Sequence, residues 1–232
     1  MIINLREIYS EDLSYLKENI SNLHHQNLLL QKAGVNHYSL LSFFSKKIEN
    51  SSIIELGTYA GTSALALSSN STNLVETYDL SDDPFSLIQM PKNLKKYVGN
   101  IFYLGHQKKL LNAKLIFIDT AHNGDFEYKV IKYLIDNNYK GIVILDDIYW
   151  NGKMFYFWQA IKIKKTDLTL IGHGDGSGPN GNISGTGLID FSNELIINFD
   201  GVEIKLKKMI KIIYIKIKYF FKSLFIKNKF IY

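Results

Sequence analysis

Between residues 51 and 172, short apolar runs end at a glycine or an acid and give way to helical spacing, and this alternation constrains the fold more than any other feature. Runs at 53–56, 74–79, 94–98, 115–119, 141–146 and 168–172 read as strands, and the stretches 61–69, 125–137 and 153–162 as helices. Such a pattern predicts βαβ units, hence an α/β fold whose mainly parallel sheet is covered by helices on both faces. Ligands of such sheets sit outside the carboxyl ends of the strands. The chemically loaded residues fall at those ends: Gly57, Asp79, Asn100, Asp119 and the pair Asp146 and Asp147.

Residues 11–32 and 36–49 carry Leu13, Leu16, Ile20 and Leu23, then Leu40, Leu41 and Phe44, at helical spacing, with Ser10 and Asn36 as N-cap residues. Near the end, runs 195–199 and 202–206 flank Asp200 and Gly201, a hairpin signal. A chain of 232 residues is expected to hold one core. Its parts are leading helices over 1–50, an α/β domain over 51–204 and a tail over 205–232.

There is no cysteine, which rules out disulfides and thiolate metal sites. Glu7, Glu11 and Asp12 interrupt the first residues, so no secretory signal is expected, and a cytoplasmic location follows as the default. The net charge of +5 is unevenly held. Nine of the 27 bases lie at or after Lys205 and no acid does, which leaves 18 bases against 22 acids in the rest. A body near −4 is not a nucleic-acid-coating surface, and the basic tail calls for its own anionic partner.

The segment Glu55-Leu56-Gly57-Thr58-Tyr59-Ala60-Gly61-Thr62-Ser63 sets two glycines four apart between a strand and an alanine-rich helix. Gly57 allows a tight turn close to a ligand, and Gly61 lets the helix start close to the sheet. The spacing is not G-x-G-x-x-G, which argues against a nicotinamide-dependent oxidoreductase without excluding one. Asp79, about 20 residues on, stands where a carboxylate can accept hydrogen bonds from ribose hydroxyls. The alternative is an ordinary strand-to-helix turn and a solvated acid.

With Asp79, this loop resembles the first motif of the class I methyltransferases, E-x-G-x-x-x-G-x-S, and the ribose-binding acid that follows it. The resemblance implies a Rossmann-like seven-stranded sheet. It implies an S-adenosylmethionine site built from Glu55, Gly57, Thr58, Gly61, Ser63, Asp79 and Asp119, with Asn100 near the adenine.

Phe117-Ile118-Asp119-Thr120-Ala121-His122 and Ile144-Leu145-Asp146-Asp147 bring three carboxylates and an imidazole to one sheet edge. Clustered carboxylates repel unless a cation or proton lies among them, and oxygen donors suit Mg²⁺ or Mn²⁺. A cation held by Asp119, Asp146 and Asp147 could acidify a bound hydroxyl, with His122 as the base that removes its proton. The alternative makes Asp146 and Asp147 a helix cap. The arrangement resembles the metal-dependent O-methyltransferases related to catechol O-methyltransferase, and more closely the sugar O-methyltransferases among them, in which an acid, an acidic pair and a D-x-x-H histidine play these parts. Catechol enzymes carry Asp-Asn where this chain has Asp146 and Asp147, and use a lysine base that the sequence does not place, which makes a catechol substrate the less favoured one. The segments 122–127, 146–151 and 184–187 with Met154 and Trp158 also resemble methyltransferase domains associated with surface-glycan synthesis. A sugar or glycan acceptor is the expected substrate, with a phenolic metabolite or a non-catalytic binding domain as alternatives.

His37 and Tyr38 precede the first strand, either over a cofactor or as a buried pair. Trp150 and Trp158 read as packing residues, with sugar platforms as the alternative, and the glycine-rich stretch from Gly172 as a loop near the substrate entrance. In the tail, Lys207, Lys211, Lys218, Lys222 and Lys229 share one helical face among apolar residues, and no uncharged run reaches the ~20 residues that span a bilayer. An interfacial helix on an anionic membrane is expected. The alternative is packing on its own domain or on a second copy in a homo-oligomer.

Overall fold

A computed structural model describes residues 1–20, 32–82, 88–172, 184–202 and 206–223. After β1 (Ile2–Asn4) and a 3₁₀ turn over Leu5–Ser10 come α1 (Ser14–Asn19), α2 (Lys32–Lys46), β2 (Ser52–Leu56), α3 (Thr62–Leu67), β3 (Leu74–Asp79) and β4 (Leu94–Val98). There follow α4 (Lys108–Asn112), β5 (Ala113–Ile118), α5 (Asp125–Asp136), β6 (Ile142–Asp146), α6 (Gly152–Ala160), β7 (Lys165–Asp167), α7 (Thr169–Gly172), β8 (Thr186–Asp190), β9 (Ile196–Asn198) and α8 (Leu206–Ser223).

Seven strands form one sheet in the order β4-β3-β2-β5-β6-β8-β7. The first five are parallel and β8 runs antiparallel between β6 and β7. Strand order reverses at β2, so the ends of β2, β3 and β5 face a common crevice, as a doubly wound sheet requires. Alternate side chains of each central strand enter opposite cores. Ile53, Phe117 and Ile144 pack beneath α1, α2 and α3 with Leu16, Leu41, Phe44 and Leu65. Ile54, Ile116, Val143 and Ile189 pack beneath α5 and α6 with Val130, Leu134, Met154 and Trp158. Burial on both faces explains the near-continuous apolar runs in the sequence.

Four expectations need correction. Residues 168–172 do not form a strand: β7 lies just before them, and Thr169–Gly172 are helical because the Asp167 carboxylate accepts from the Thr169 N–H and starts a turn. The strand that completes the sheet is β8, which carries Gly187 at a point where a Cβ would lie 2.6 Å from the Trp158 ring. No hairpin forms at Asp200 and Gly201 among the described residues: β9 pairs in parallel with β1, and Leu206 is already helical. Neither proposed cap of the leading helices caps a helix. The Ser14 N–H is held by Asp12 at 2.9 Å, and Asn36 lies inside α2.

The tail helix α8 packs one face on the domain. Ile212, Ile215 and Tyr219 join the core beneath α6, and Lys216 pairs with Asp167 at 2.8 Å. Leu206, Ile210, Ile213, Tyr214, Ile217 and Phe221 stay exposed. Lys229 lies outside the described residues. Among the described residues no helix is long and apolar enough to cross a membrane.

Candidate active site

The glycine loop turns sharply out of β2. Gly57 has φ +95°, and a Cβ there would lie 1.7 Å from the Asp119 carbonyl oxygen. Its glycine is required because the β2 and β5 chains touch, a need separate from any ligand. Gly61, at φ +82°, precedes the first residue of α3. The Asp79 carboxylate accepts the Thr58 and Tyr59 N–H groups at 2.8 and 2.7 Å, so the acid at the end of β3 also fixes the loop. Behind it, Thr58, Thr77 and Glu55 form a buried chain in which the Thr77 hydroxyl donates to Glu55 at 2.5 Å. Burial pushes the Glu55 carboxyl up to about 8, against the lowering effect of the Ser63 and Thr77 hydroxyls.

In front of the loop lies a cavity of about 600 Å³, lined by Gly57, Asp79, Asn100, Asp119 and His122 among others. The Asn100 side chain accepts the Phe102 N–H at 2.9 Å and so stiffens the loop after β4. Glu55, Thr58 and Ser63 are buried behind the cavity wall, where they support the loop.

The acids of the next two strands divide into two groups joined by Asp119. His122 Nε2 lies 3.3 Å from Asp119 Oδ1 and 3.2 Å from Asp147 Oδ2. Asp146 turns the other way: its Oδ1 accepts the Thr186 hydroxyl at 3.0 Å, and its Oδ2 lies 3.9 Å from His37 Nδ1, delivered by α2. Ligand atoms lie within 4.8 Å of one another in His37, Asp119 and Asp146, and again in Asp119, His122 and Asp147. Among the described residues, Asp119, Asp146 and Asp147 do not close as a set of their own. Enclosure at the strand ends and then the charges of Asp146 and Asp147 raise the Asp119 pKa well above the usual carboxylate range. Carboxylates and imidazoles crowded in this way are a donor set that fits a divalent cation.

His122 and Asp147 both occupy left-handed backbone, at φ 49° and 57°, which residues other than glycine adopt uncommonly. Glu127, in the first turn of α5, accepts the His122 N–H at 3.0 Å and the Thr120 hydroxyl at 2.8 Å. Asn151 caps α6 by accepting the Lys153 and Met154 N–H groups at 2.9 and 3.0 Å, and its amide donates to the His122 carbonyl at 2.7 Å. The cap of α6 is therefore Asn151, and Asp146 and Asp147 are free of that duty.

Trp158 is buried as a packing residue, but Trp150 is 51% exposed and its ring centroid lies 5.8 Å from that of His122. The packing expectation fails for Trp150 because its loop reverses outward after Asp147. The Tyr219 hydroxyl of α8 donates to the Trp150 carbonyl at 3.0 Å, tying the tail to the rim of the site. Glu127 is the residue that sequence reasoning missed, although an acid in a helix's first turn was a signal for it; at Trp150 the exposed ring favours the alternative to packing.

No protein-family model and no curated protein matches the chain. Solved structures do. An S-adenosylhomocysteine-bound methyltransferase of Podospora anserina, PaMTH1, is 16% identical with a TM-score of 0.50, over 80% of this chain and 86% of that one. The O-methyltransferase TomG of Streptomyces achromogenes, which is involved in tomaymycin synthesis and was solved with S-adenosylmethionine, is 14% identical with a TM-score of 0.52, over 81% and 96%. The chain has the Rossmann-like fold of the class I methyltransferases.

Proposed function

We propose that this chain is an S-adenosylmethionine-dependent O-methyltransferase that works with a divalent cation on a sugar hydroxyl of a glycan or glycan precursor. One observation carries the reading. The D-x-x-H histidine meets Asp119 and Asp147, and His122 and Asp119 line the same cavity as Gly57 and Asp79. The size and lining of that cavity suit a nucleoside joined to an amino acid.

S-adenosylmethionine supplies the methyl group, and Mg²⁺ or Mn²⁺ would supply the positive charge that acidifies the acceptor hydroxyl. Gly57, Asp79 and Asn100 would hold and orient the nucleoside end of the cofactor, with Asp119 beside them in the cavity lining. His122 Nε2 faces two carboxylates, which fix the ring and leave Nδ1 to take the acceptor's proton. The oxygen–carbon bond then forms as the sulfur–carbon bond breaks, and the proton ends on His122. Positioning is the main source of acceleration in such an in-line displacement.

Two features support a sugar acceptor. Trp150 offers an exposed ring beside the base, on which a sugar can stack. The outer face of α8 sets exposed apolar residues beside a lysine row, the composition of a helix lying on an anionic bilayer. Through Tyr219 that helix reaches the site's rim, which favours a lipid-linked acceptor. Calorimetry with S-adenosylhomocysteine and with NAD tests the class. Binding of the first and not the second is expected; the reverse would make the chain an oxidoreductase.

A further inference from the structure

His37 belongs to the leading helix, far in sequence from the acid motifs, yet its imidazole lies at the sheet edge among them. We infer that His37 is a metal ligand, and that with Asp119 and Asp146 it forms a mixed nitrogen–oxygen site preferring Mn²⁺ or a later divalent transition metal over Mg²⁺. The inference rests on the proposed metal-assisted reading and changes both its ligand set and its metal.

The separation of His37 Nδ1 from Asp146 Oδ2, 3.9 Å, is too long for a hydrogen bond. It falls within the spacing of about 3 to 4.5 Å expected for two donors held about 2.1–2.3 Å from one ion. The three ligand atoms of His37, Asp119 and Asp146 all lie within 4.8 Å of one another. The surroundings orient the ligands as a metal site requires. The Thr186 hydroxyl holds the far oxygen of Asp146 and leaves the near one turned toward His37. The His37 ring is wedged edge-on against Phe117 and Tyr38, with centroids at 5.7 and 5.2 Å, so its direction is set by packing. Phe117 and Asp119 lie on the same strand end, so the packing that fixes the ring also fixes its distance to the acid.

An imidazole changes the chemistry of the site. Mg²⁺ selects oxygen donors and keeps its waters, whereas a neutral imidazole strengthens binding of Mn²⁺ and more strongly of the metals after it. This division of labour also explains why Asp146 and Asp147 point apart. Asp146 serves the ion with His37, and Asp147 serves the base, His122.

The test is Mn²⁺ titration of the full chain followed by electron paramagnetic resonance, with electron spin-echo modulation to detect imidazole nitrogen on the bound ion. S-adenosylhomocysteine binding is measured in the same samples. One Mn²⁺ with a nitrogen coupling is expected in the native protein, displaced only by a large excess of Mg²⁺. His37→Gln should lose the coupling and bind Mn²⁺ at least about tenfold more weakly, while His122→Gln keeps the coupling. His37→Asn repeats the measurement should the first variant fail to fold. Coupling that survives in the His37 variants and vanishes in His122→Gln would overturn the inference and move the ion to the His122 group. Native protein that binds no Mn²⁺ would overturn it as well, leaving His37 a counter-ion of Asp146. Failure to bind S-adenosylhomocysteine would count against the methyltransferase reading instead, since Mn²⁺ binding does not depend on it.

Discussion

The carboxyl edge of the sheet and the outer face of α8 are both crowded with one sign of charge, but they hold it differently. At the edge, Asp119, Asp146 and Asp147 are enclosed and individually oriented, by His122, by Thr186 and by a left-handed backbone turn. On α8, Lys218 and Lys222 are exposed beside an apolar arc that nothing in the chain covers among the described residues. Enclosed charges act through direction, so moving one by an ångström or removing one proton site alters the chemistry. Exposed charges act through their sum, and salt screens them. The two regions should therefore respond differently to the same kind of substitution.

The largest effect belongs to the edge. His122→Gln should lower methyl transfer by about 100- to 10,000-fold, the range of a general base, with S-adenosylhomocysteine affinity nearly unchanged. Single-turnover kinetics and calorimetry measure the two; equal loss in both would make His122 a binding residue and erase the contrast.

A smaller effect concerns pH. The folded-state pKa of Glu55, about 8, lies above its ordinary value of 4.5. Ionising it penalises the folded form, so its cost to stability grows as pH rises through that window and is complete above about 8. Glu55→Gln removes the cost. Without cofactor, its melting temperature relative to the native chain should be higher at pH 8 than at pH 5, and an equal difference at both would contradict the assignment.

The smallest effects are expected on α8. Lys218→Gln and Lys222→Gln should each weaken binding to vesicles containing phosphatidylserine by about fivefold, corresponding to about 1 kcal/mol per lysine near an anionic surface, and salt should erase the difference. Sedimentation unchanged by charge, lipid or salt would refute the bilayer contact. A concentration-dependent dimer, broken by Ile213→Asp, would assign the apolar arc to a second copy.

Strands β2 to β6 were legible because each is an apolar run closed by turn chemistry, and their ends carried the acids with them. At β7 and β8 legibility failed. The Asp167 carboxylate starts a helical turn where apolar residues alone suggest a strand, and β8 contains a glycine that only the Trp158 ring explains. At the site, sequence spacing placed Asp119, His122, Asp146 and Asp147 on one edge but not the directions of their side chains. Asp146 and Asp147 are neighbours in the chain, and the left-handed turn at Asp147 sends them to different partners. His37 was out of reach for a different reason, since only packing of α2 on the sheet brings it to the acids.

The decisive measurement is transfer of labelled methyl from S-adenosylmethionine to a panel of nucleotide-linked sugars, lipid-linked sugars and phenols, with and without EDTA. Label should appear on a sugar, disappear with EDTA and return when Mn²⁺ is restored. Transfer indifferent to EDTA would remove the cation from the site, and no transfer to any acceptor by protein that binds S-adenosylhomocysteine would contradict the proposed reaction.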